Sequence, residues 1–215
     1  MKNNMTELVF ILDRSGSMNG LEGDTIGGFN SLIEKQKKVD GKCYVTTVLF
    51  DDQIETLHDR ADLSEIRPMT DRDYSVRGCT ALLDALGGTI RHIAQIHKYA
   101  RPEDVPEHTT FVIMTDGMEN ASRRFDSDTV KKMIGHEKEK YGWEFLFLAA
   151  NIDAVETAAK MGIGADRAVD YMADGIGTKL AFSAVAETVC AQRAGSPIRA
   201  CWKKSLEEDY SRRNK

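Results

Sequence analysis

Short apolar runs alternate with longer amphipathic segments along most of this chain. Four of the runs are almost wholly apolar, which is typical of strands buried on both faces of a parallel sheet. They lie at residues 8–12, 43–50, 110–115 and 143–150. A weaker, alternating run at 53–57 predicts a strand at or near the sheet edge, and residues 167–171 predict a last short strand. The chain is therefore expected to contain six strands.

The segments between these runs carry apolar residues at helical spacing. Stripes of this kind lie at 26–33, 82–94, 130–134 and 182–189, and a short helix is expected between 153 and 162. Capping candidates mark three of the helix starts: Asp24 for the first, Ser127 or Asp128 for the third, and Asp153 for the short helix. Five helices are therefore predicted.

The alternation of strands and helices predicts an α/β fold, a doubly wound and mostly parallel sheet with helices on both faces. The connection between residues 50 and 53 is too short for a crossover helix, so those two strands are expected to form an antiparallel hairpin. One domain is predicted over residues 1–195. From Ser196 onward the apolar periodicity lapses, and residues 196–215 are expected to form a charged tail with at most one helical turn, dispensable for folding.

Length and composition narrow the class of protein. A chain of 215 residues fits one α/β domain, and its 41% hydrophobic and 29% charged residues are typical of a soluble globule. The net charge of −5 repels a phosphate backbone, so nucleic acid is not expected as a partner. The apolar runs are too short for a signal peptide core or a membrane span, so no membrane is expected either.

The cysteines bear on the cellular compartment. Four are present, Cys43, Cys79, Cys190 and Cys201, and they are widely spaced without a C-x-x-C pair. This spacing favours reduced thiols over a disulfide framework. A cytoplasmic location is therefore expected.

Candidate chemistry follows the predicted strands. In an open α/β sheet, ligands bind at the carboxyl ends of the strands, near the point where strand order reverses. Three segments fall there, at 13–17, 77–80 and 115–117. Together they supply two carboxylates and three hydroxyls, from Asp13, Ser15, Ser17, Thr80 and Asp116. An all-oxygen set suits Mg²⁺ or Mn²⁺ rather than zinc or copper.

Each of these segments alone is more typical of a turn or a helix cap than of a metal site. Their joint appearance, in this order and at the ends of the right strands, favours the metal site. Other polar residues are expected on the same rim, most of them as solvated loop residues and a minority, which the sequence does not single out, as residues that orient waters around the ion or touch a partner. These are Asp51, Asp52, Glu119, Asn120 and Asn151.

The pattern Asp-x-Ser-x-Ser, then a distant Thr, then a distant Asp-Gly resembles the metal-ion-dependent adhesion site of von Willebrand factor A-type domains. The resemblance extends over about residues 7–194 and includes the segments 78–86 and 114–120. The segments 25–30 and 141–151 are similar to those of small stand-alone bacterial members. The family has a Rossmann-like fold, which agrees with the fold predicted above.

The resemblance implies roles for the five residues. Ser15, Ser17 and Thr80 would hold the ion directly. Asp13 and Asp116 would act through water, or directly when the site is unliganded. The resemblance also implies a binding function, in which the Asp or Glu of a partner protein completes the coordination shell of Mg²⁺ or Mn²⁺.

Two other functions stay open from the residues alone. One is an enzyme, either a metal-assisted hydrolase or a phosphotransferase with Asp13 as nucleophile. Against it, aspartyl-phosphate enzymes of this topology usually carry a second acid two residues on, where this chain has Ser15, and Lys, His and Glu are absent beside these motifs. The other is an accessory subunit of a separate ATPase machine, since the chain has no P-loop. Binding without catalysis is the expected function.

Overall fold

A computed structural model describes residues 4–214 as a six-stranded sheet flanked by helices. The strands are β1 (Thr6–Asp13), β2 (Cys43–Phe50), β3 (Ile54–Asp62), β4 (His108–Thr115), β5 (Glu144–Ala149) and β6 (Ala168–Asp170). The helices are α1 (Glu22–Gln36), α2 (Leu82–Tyr99), α3 (Ser127–Tyr141), α4 (Ala154–Lys160), α5 (Gly175–Arg193) and α6 (Lys204–Arg213). All six expected strands and all five expected helices are present, with α6 in addition.

The sheet has the order β3-β2-β1-β4-β5-β6. Every neighbouring pair is parallel except β2 and β3, which form the antiparallel edge hairpin. The predicted fold class is therefore confirmed. The order reverses at β1, because the chain runs from β1 outward to β2 and then returns to place β4 on the other side of β1. The crevice between the ends of β1 and β4 is the position at which such sheets bind ligands.

Two apolar layers cover the sheet. Side chains alternate across each strand, so Leu8, Phe10 and Leu12 of β1 pack in a layer that includes residues of α1 and α5. Val9 and Ile11 pack on the opposite face in a layer with residues of α2, α3 and α4. Burial on both faces explains why the central strands are nearly continuous apolar runs.

Two of the expected helix caps are wrong. Asp24 lies inside the first turn of α1, whose N-cap position is Leu21. The cap of α3 is Asp126, whose Oδ1 accepts a 2.7 Å hydrogen bond from the Thr129 backbone N–H, so neither Ser127 nor Asp128 caps that helix. An N-cap oxygen must reach an N–H two or three residues on, and in runs of polar residues the backbone geometry decides which one does. The Asp153 cap of α4 is confirmed.

The expectation of an undocked C-terminal tail is also wrong. Helix α6 occupies most of this segment, and Trp202 and Leu206 join Ile198 in the apolar layer on the α5 side of the sheet. The Trp202 indole donates a 2.9 Å hydrogen bond to the carbonyl of Asp166, just before β6. The tail thus covers the region of the edge strand β6. The division of the chain at residue 195 stays a prediction.

Over residues 4–214, the helices are all too short or too polar to cross a membrane.

Candidate metal centre

Three loops meet at the carboxyl end of the sheet, in the crevice between β1 and β4. Asp13 ends β1, and Ser15 and Ser17 follow it in a tight turn that includes a short 3₁₀ helix. Thr80 lies two residues before α2, and Asp116 directly follows β4. The topology thus brings together loops from distant parts of the chain.

The three hydroxyls form a chain of close contacts. Ser15 Oγ lies 3.1 Å from Ser17 Oγ, and Thr80 Oγ1 donates a 3.0 Å hydrogen bond to Ser15 Oγ. They gather over Gly117, where a Cβ atom would lie only 2.9 Å from Ser17 Oγ and 3.0 Å from Thr80 Oγ1. The hydroxyl oxygens are therefore placed so that one small cation can contact all three.

Asp13 is buried and oriented by two hydrogen bonds. Its Oδ1 accepts a 2.7 Å bond from the Ser15 backbone N–H, and its Oδ2 accepts a 2.5 Å bond from the Thr115 hydroxyl. Burial raises the pKa of Asp13, and these hydrogen bonds oppose the shift. Both carboxylate oxygens are thus held in fixed directions beside the serine turn.

Asp116 is buried without such support. Its side chain is 2% exposed, and neither carboxylate oxygen has a hydrogen-bond partner among residues 4–214. Burial raises the pKa of Asp116 to about 6. The nearby Ser17 hydroxyl lowers this pKa in part, although it lies outside hydrogen-bond geometry. Burying a carboxylate unpaired is costly, and a cation at this position would offset that cost.

The donor set decides which ions fit. No group of three or more His, Cys, Asp or Glu residues within residues 4–214 is arranged to hold a metal ion. The group in the crevice is of a different kind, because it combines two carboxylates with three hydroxyls. Neutral and anionic oxygen ligands suit Mg²⁺ and Mn²⁺. The five residues therefore fit such an ion; that they bind one stays a prediction.

The turn with the two serines is tied to the loop before Thr80 by two ion pairs that share one buried carboxylate. The Asp51 carboxylate is fully buried and accepts from Nε of Arg14 at 3.2 Å and Nε of Arg77 at 2.6 Å. The backbone N–H of Arg77 donates to the carbonyl of Arg14 at 2.8 Å. Asp51 is therefore an exception to the expectation that most of the polar residues on this rim are solvated.

A buried tyrosine connects the end of β1 to the segment that leads to Thr80. The Tyr74 hydroxyl donates to the backbone carbonyl of Asp13, and burial raises the pKa of Tyr74 well above its usual value. Tyr74 belongs to the long segment between β3 and α2 that ends near Thr80, so this bond connects that segment to the end of β1. The sequence carries no local signal for it, because the two residues are 61 positions apart.

No protein-family model and no curated protein matches this chain. Solved structures do match in fold. Proximal thread matrix protein 1 from the mussel byssus has a TM-score of 0.61 at 16% identity, over 86% of this chain and 46% of that one. A second structure of it, with a "zinc occupied MIDAS motif", has a TM-score of 0.57 at 13% identity, over 86% and 46%.

Two further solved structures are similar in fold. A "von Willebrand factor type A" protein from Catenulispora acidiphila has a TM-score of 0.57 at 12% identity, over 88% of this chain and 43% of that one. The manganese-loaded TRAP protein of Plasmodium vivax has a TM-score of 0.50 at 17% identity, over 69% and 58%. This chain thus spans about half the length of the structures it matches.

Proposed function

Because this chain has the von Willebrand factor A-type fold, we propose that it is a metal-dependent protein-binding module. A Mg²⁺ or Mn²⁺ ion at the carboxyl end of the sheet would coordinate an Asp or Glu of a partner protein. One observation carries this proposal. Among residues 4–214, the buried carboxylate of Asp116 has no hydrogen-bond partner, and it lies beside three converging hydroxyls.

The five residues divide the work of holding the ion. Ser15, Ser17 and Thr80 offer neutral oxygens, while Asp13 and Asp116 supply negative charge close by. When bound, the ion would supply a Lewis-acidic coordination position that a carboxylate can complete. The fold neighbours with zinc in the mussel protein and manganese in the Plasmodium protein support a divalent metal at this position. The oxygen ligands favour Mg²⁺ or Mn²⁺ here.

A binding role also fits the state of Asp13 better than catalysis does. Aspartyl-phosphate enzymes of this topology usually carry a second acid two residues after the nucleophile, and here that position is Ser15, whose backbone N–H donates to Asp13 Oδ1. Screens with phosphatase, esterase and ATPase substrates should therefore show no turnover that Thr80→Ala abolishes. Metal-dependent turnover lost in this variant would establish an enzyme instead.

The net charge and the cysteines bear on two further proposals, the class of partner and the cellular location. The net charge of −5 disfavours nucleic acid as the partner. All four cysteines are free thiols in the structure, which supports a cytoplasmic location. The accessory role beside a separate ATPase remains compatible with a binding module.

Metal titration tests the site. Calorimetry should detect one Mg²⁺ or Mn²⁺ per chain, and Asp13→Ala and Asp116→Ala should each weaken binding strongly. Asp40→Ala makes the same charge change in an exposed turn between α1 and β2, at the other end of the sheet, and should leave the affinity unchanged. If the two site variants bind as well as the parent, the metal site is misassigned.

A further inference from the structure

The loop that follows Asp116, residues 117–126, lies across the start of α2. The Asp84 carboxylate accepts hydrogen bonds from the backbone N–H groups of three consecutive loop residues, at 2.9, 2.8 and 2.9 Å; they are Arg123, Arg124 and Phe125. Glu119 reaches back and accepts from the Leu83 backbone N–H at 2.9 Å. Glu119 is thus a second exception among the rim residues, most of which are expected to be solvated, and this loop and the start of α2 form one connected unit.

Asn120 makes the contact nearest to the metal site. Its Oδ1 accepts a 2.9 Å hydrogen bond from the backbone N–H of Thr80. Its own backbone N–H donates to the carbonyl of Thr80 at 3.0 Å, and Ala121 donates to the same carbonyl at 3.1 Å. Thr80 lies before the helix, so its backbone groups are held by the 117–126 loop instead of by helical hydrogen bonds.

The segment before α2 needs such a restraint. Gly78 has a φ of +68°, in the region that glycine adopts readily, and the backbone bonds that tie Arg77 and Gly78 to the serine turn do not reach the backbone groups of Thr80. The Thr80 hydroxyl must nevertheless stay within hydrogen-bond distance of Ser15 Oγ. A hydroxyl on a mobile segment would lose entropy on binding an ion, whereas a held one would not.

We propose that Asn120 is a positioning residue: its side-chain carbonyl fixes the Thr80 backbone, and so holds the Thr80 hydroxyl ready for the metal ion. The inference rests on the metal site proposed above. Asn120 Oδ1 accepts from the Thr80 backbone N–H, so Asn120 acts through Thr80. This hydrogen bond therefore holds the Thr80 segment in a fixed position relative to the loop that follows Asp116.

Calorimetric titration with Mn²⁺ tests the role of Asn120. Asn120→Ala should weaken Mn²⁺ binding about tenfold, the lower end of the range for residues that orient metal ligands. Asn120→Asp keeps the acceptor oxygen and should bind at least as well as the parent. Asn19→Ala is the matched control, because Asn19 is exposed near the same site and its side chain makes no hydrogen bond within residues 4–214. The melting temperature in EDTA should stay nearly constant throughout.

A double-mutant cycle separates positioning from general loosening of the loop. In a Thr80→Ala background the ligand hydroxyl is gone, so Asn120→Ala should weaken Mn²⁺ binding no further. An equal loss in both backgrounds, parent-like binding by Asn120→Ala, or an Asn120→Asp variant as weak as Asn120→Ala would each overturn the inference. Asp116→Ala identifies the other failure: if it binds Mn²⁺ like the parent, the metal site is wrong, and not only the role of Asn120.

Discussion

At the scale of single residues, Gly117 limits how the hydroxyls gather. It follows Asp116 directly, and the space where its side chain would be is taken by the oxygens of Ser17 and Thr80. Contacts of 2.9 and 3.0 Å to a Cβ are tighter than ordinary van der Waals contact, so any larger residue must push at least one hydroxyl away. The glycine is thus part of the geometry of the site although it offers no ligand.

Gly117→Ala should therefore weaken Mn²⁺ binding by about tenfold or more, in line with other residues that orient metal ligands. The metal-free fold should persist, because the residue lies in a loop. Calorimetry and circular dichroism give the two readouts. Gly135→Ala is the control: it adds a methyl group in helix α3 with nothing within 4 Å, and should stabilise the fold by about 0.5–1 kcal/mol without changing metal affinity. Equal Mn²⁺ affinity in both variants would contradict this account.

The convergence of the five candidate ligands was predictable from the sequence, whereas the contacts that support them were not. Asp13, Ser15 and Ser17 form a compact motif directly after a recognisable strand, so topology alone places them near Thr80 and Asp116. The link from Asn120 to Thr80 spans 40 positions and depends on how a loop crosses a helix start. The burial of Asp51 likewise depends on two arginines that reach it from other loops. Loop paths of this kind leave no periodic pattern.

At the scale of elements, α6 shows where pattern reasoning fails. Its sequence is strongly charged, and of the three apolar anchors of the tail, Ile198, Trp202 and Leu206, only Leu206 lies within α6. One anchor within the helix and two before it do not make a recognisable helical stripe, yet all three are buried. The strands were predicted well for the opposite reason: burial on both faces of the sheet demands many apolar residues in a row.

Leu206→Ala should lower the free energy of unfolding by about 2–5 kcal/mol, the usual cost of truncating a buried leucine. Leu206 is 1% exposed, whereas Ile176 is 65% exposed and serves as the matched control. Ile176→Ala should change stability by less than about 0.5 kcal/mol. Urea unfolding of both variants decides the matter. If Leu206→Ala, or a chain ending at residue 195, is as stable as the parent, the tail is not docked in solution.

The docking of α6 should also weaken in acid. Hydrogen bonds from Arg213 lower the pKa of Asp209, and a hydrogen bond from the Gly177 N–H together with Arg213 lowers the pKa of Asp174. A lowered folded-state pKa contributes stability above the unfolded pKa of about 4, and that contribution is lost as pH falls through the folded value.

Arg213→Gln should therefore raise the pKa of Asp209 toward its ordinary value. It should raise the pKa of Asp174 as well, and both shifts should be partial, because Arg212 still donates to Asp209 and the Gly177 N–H still donates to Asp174. Carboxyl-carbon NMR titrations measure both. Arg199→Gln changes an exposed arginine of the same segment and should shift neither. Unchanged titration of Asp209 in Arg213→Gln would show that the ion pair does not persist in solution.

At the scale of the whole molecule, the ion and the partner would share one coordination shell. The partner must then raise metal affinity by the same factor by which metal raises partner affinity, typically ~5–150-fold. Affinity capture from lysate with an EDTA control identifies partners. Replacing the critical Asp or Glu of a captured partner with Asn or Gln should remove the coupling. Partner binding unchanged by EDTA and by Thr80→Ala would place recognition elsewhere on the surface.

The proposed metal site should also make the metal-free protein less stable. Asp116 presents a buried carboxylate without a hydrogen-bond partner in the described part of the chain. An unsatisfied buried group costs about 1–3 kcal/mol, and more when charged. Asp116→Asn removes the charge at nearly constant volume, so the metal-free variant should melt several degrees above the metal-free parent.

The same substitution should abolish the response to metal. Mn²⁺ at 100 times its dissociation constant should stabilise the parent by about 2.7 kcal/mol. For a chain of this size, that is a rise of roughly 5–10 °C in melting temperature. EDTA should reverse the rise, and Asp116→Asn should show none of it. Scanning calorimetry of both proteins, with and without Mn²⁺, gives the four melting temperatures. If metal-free Asp116→Asn melts below the parent, the Asp116 carboxylate is satisfied in solution, and its isolation is not what draws an ion to this crevice.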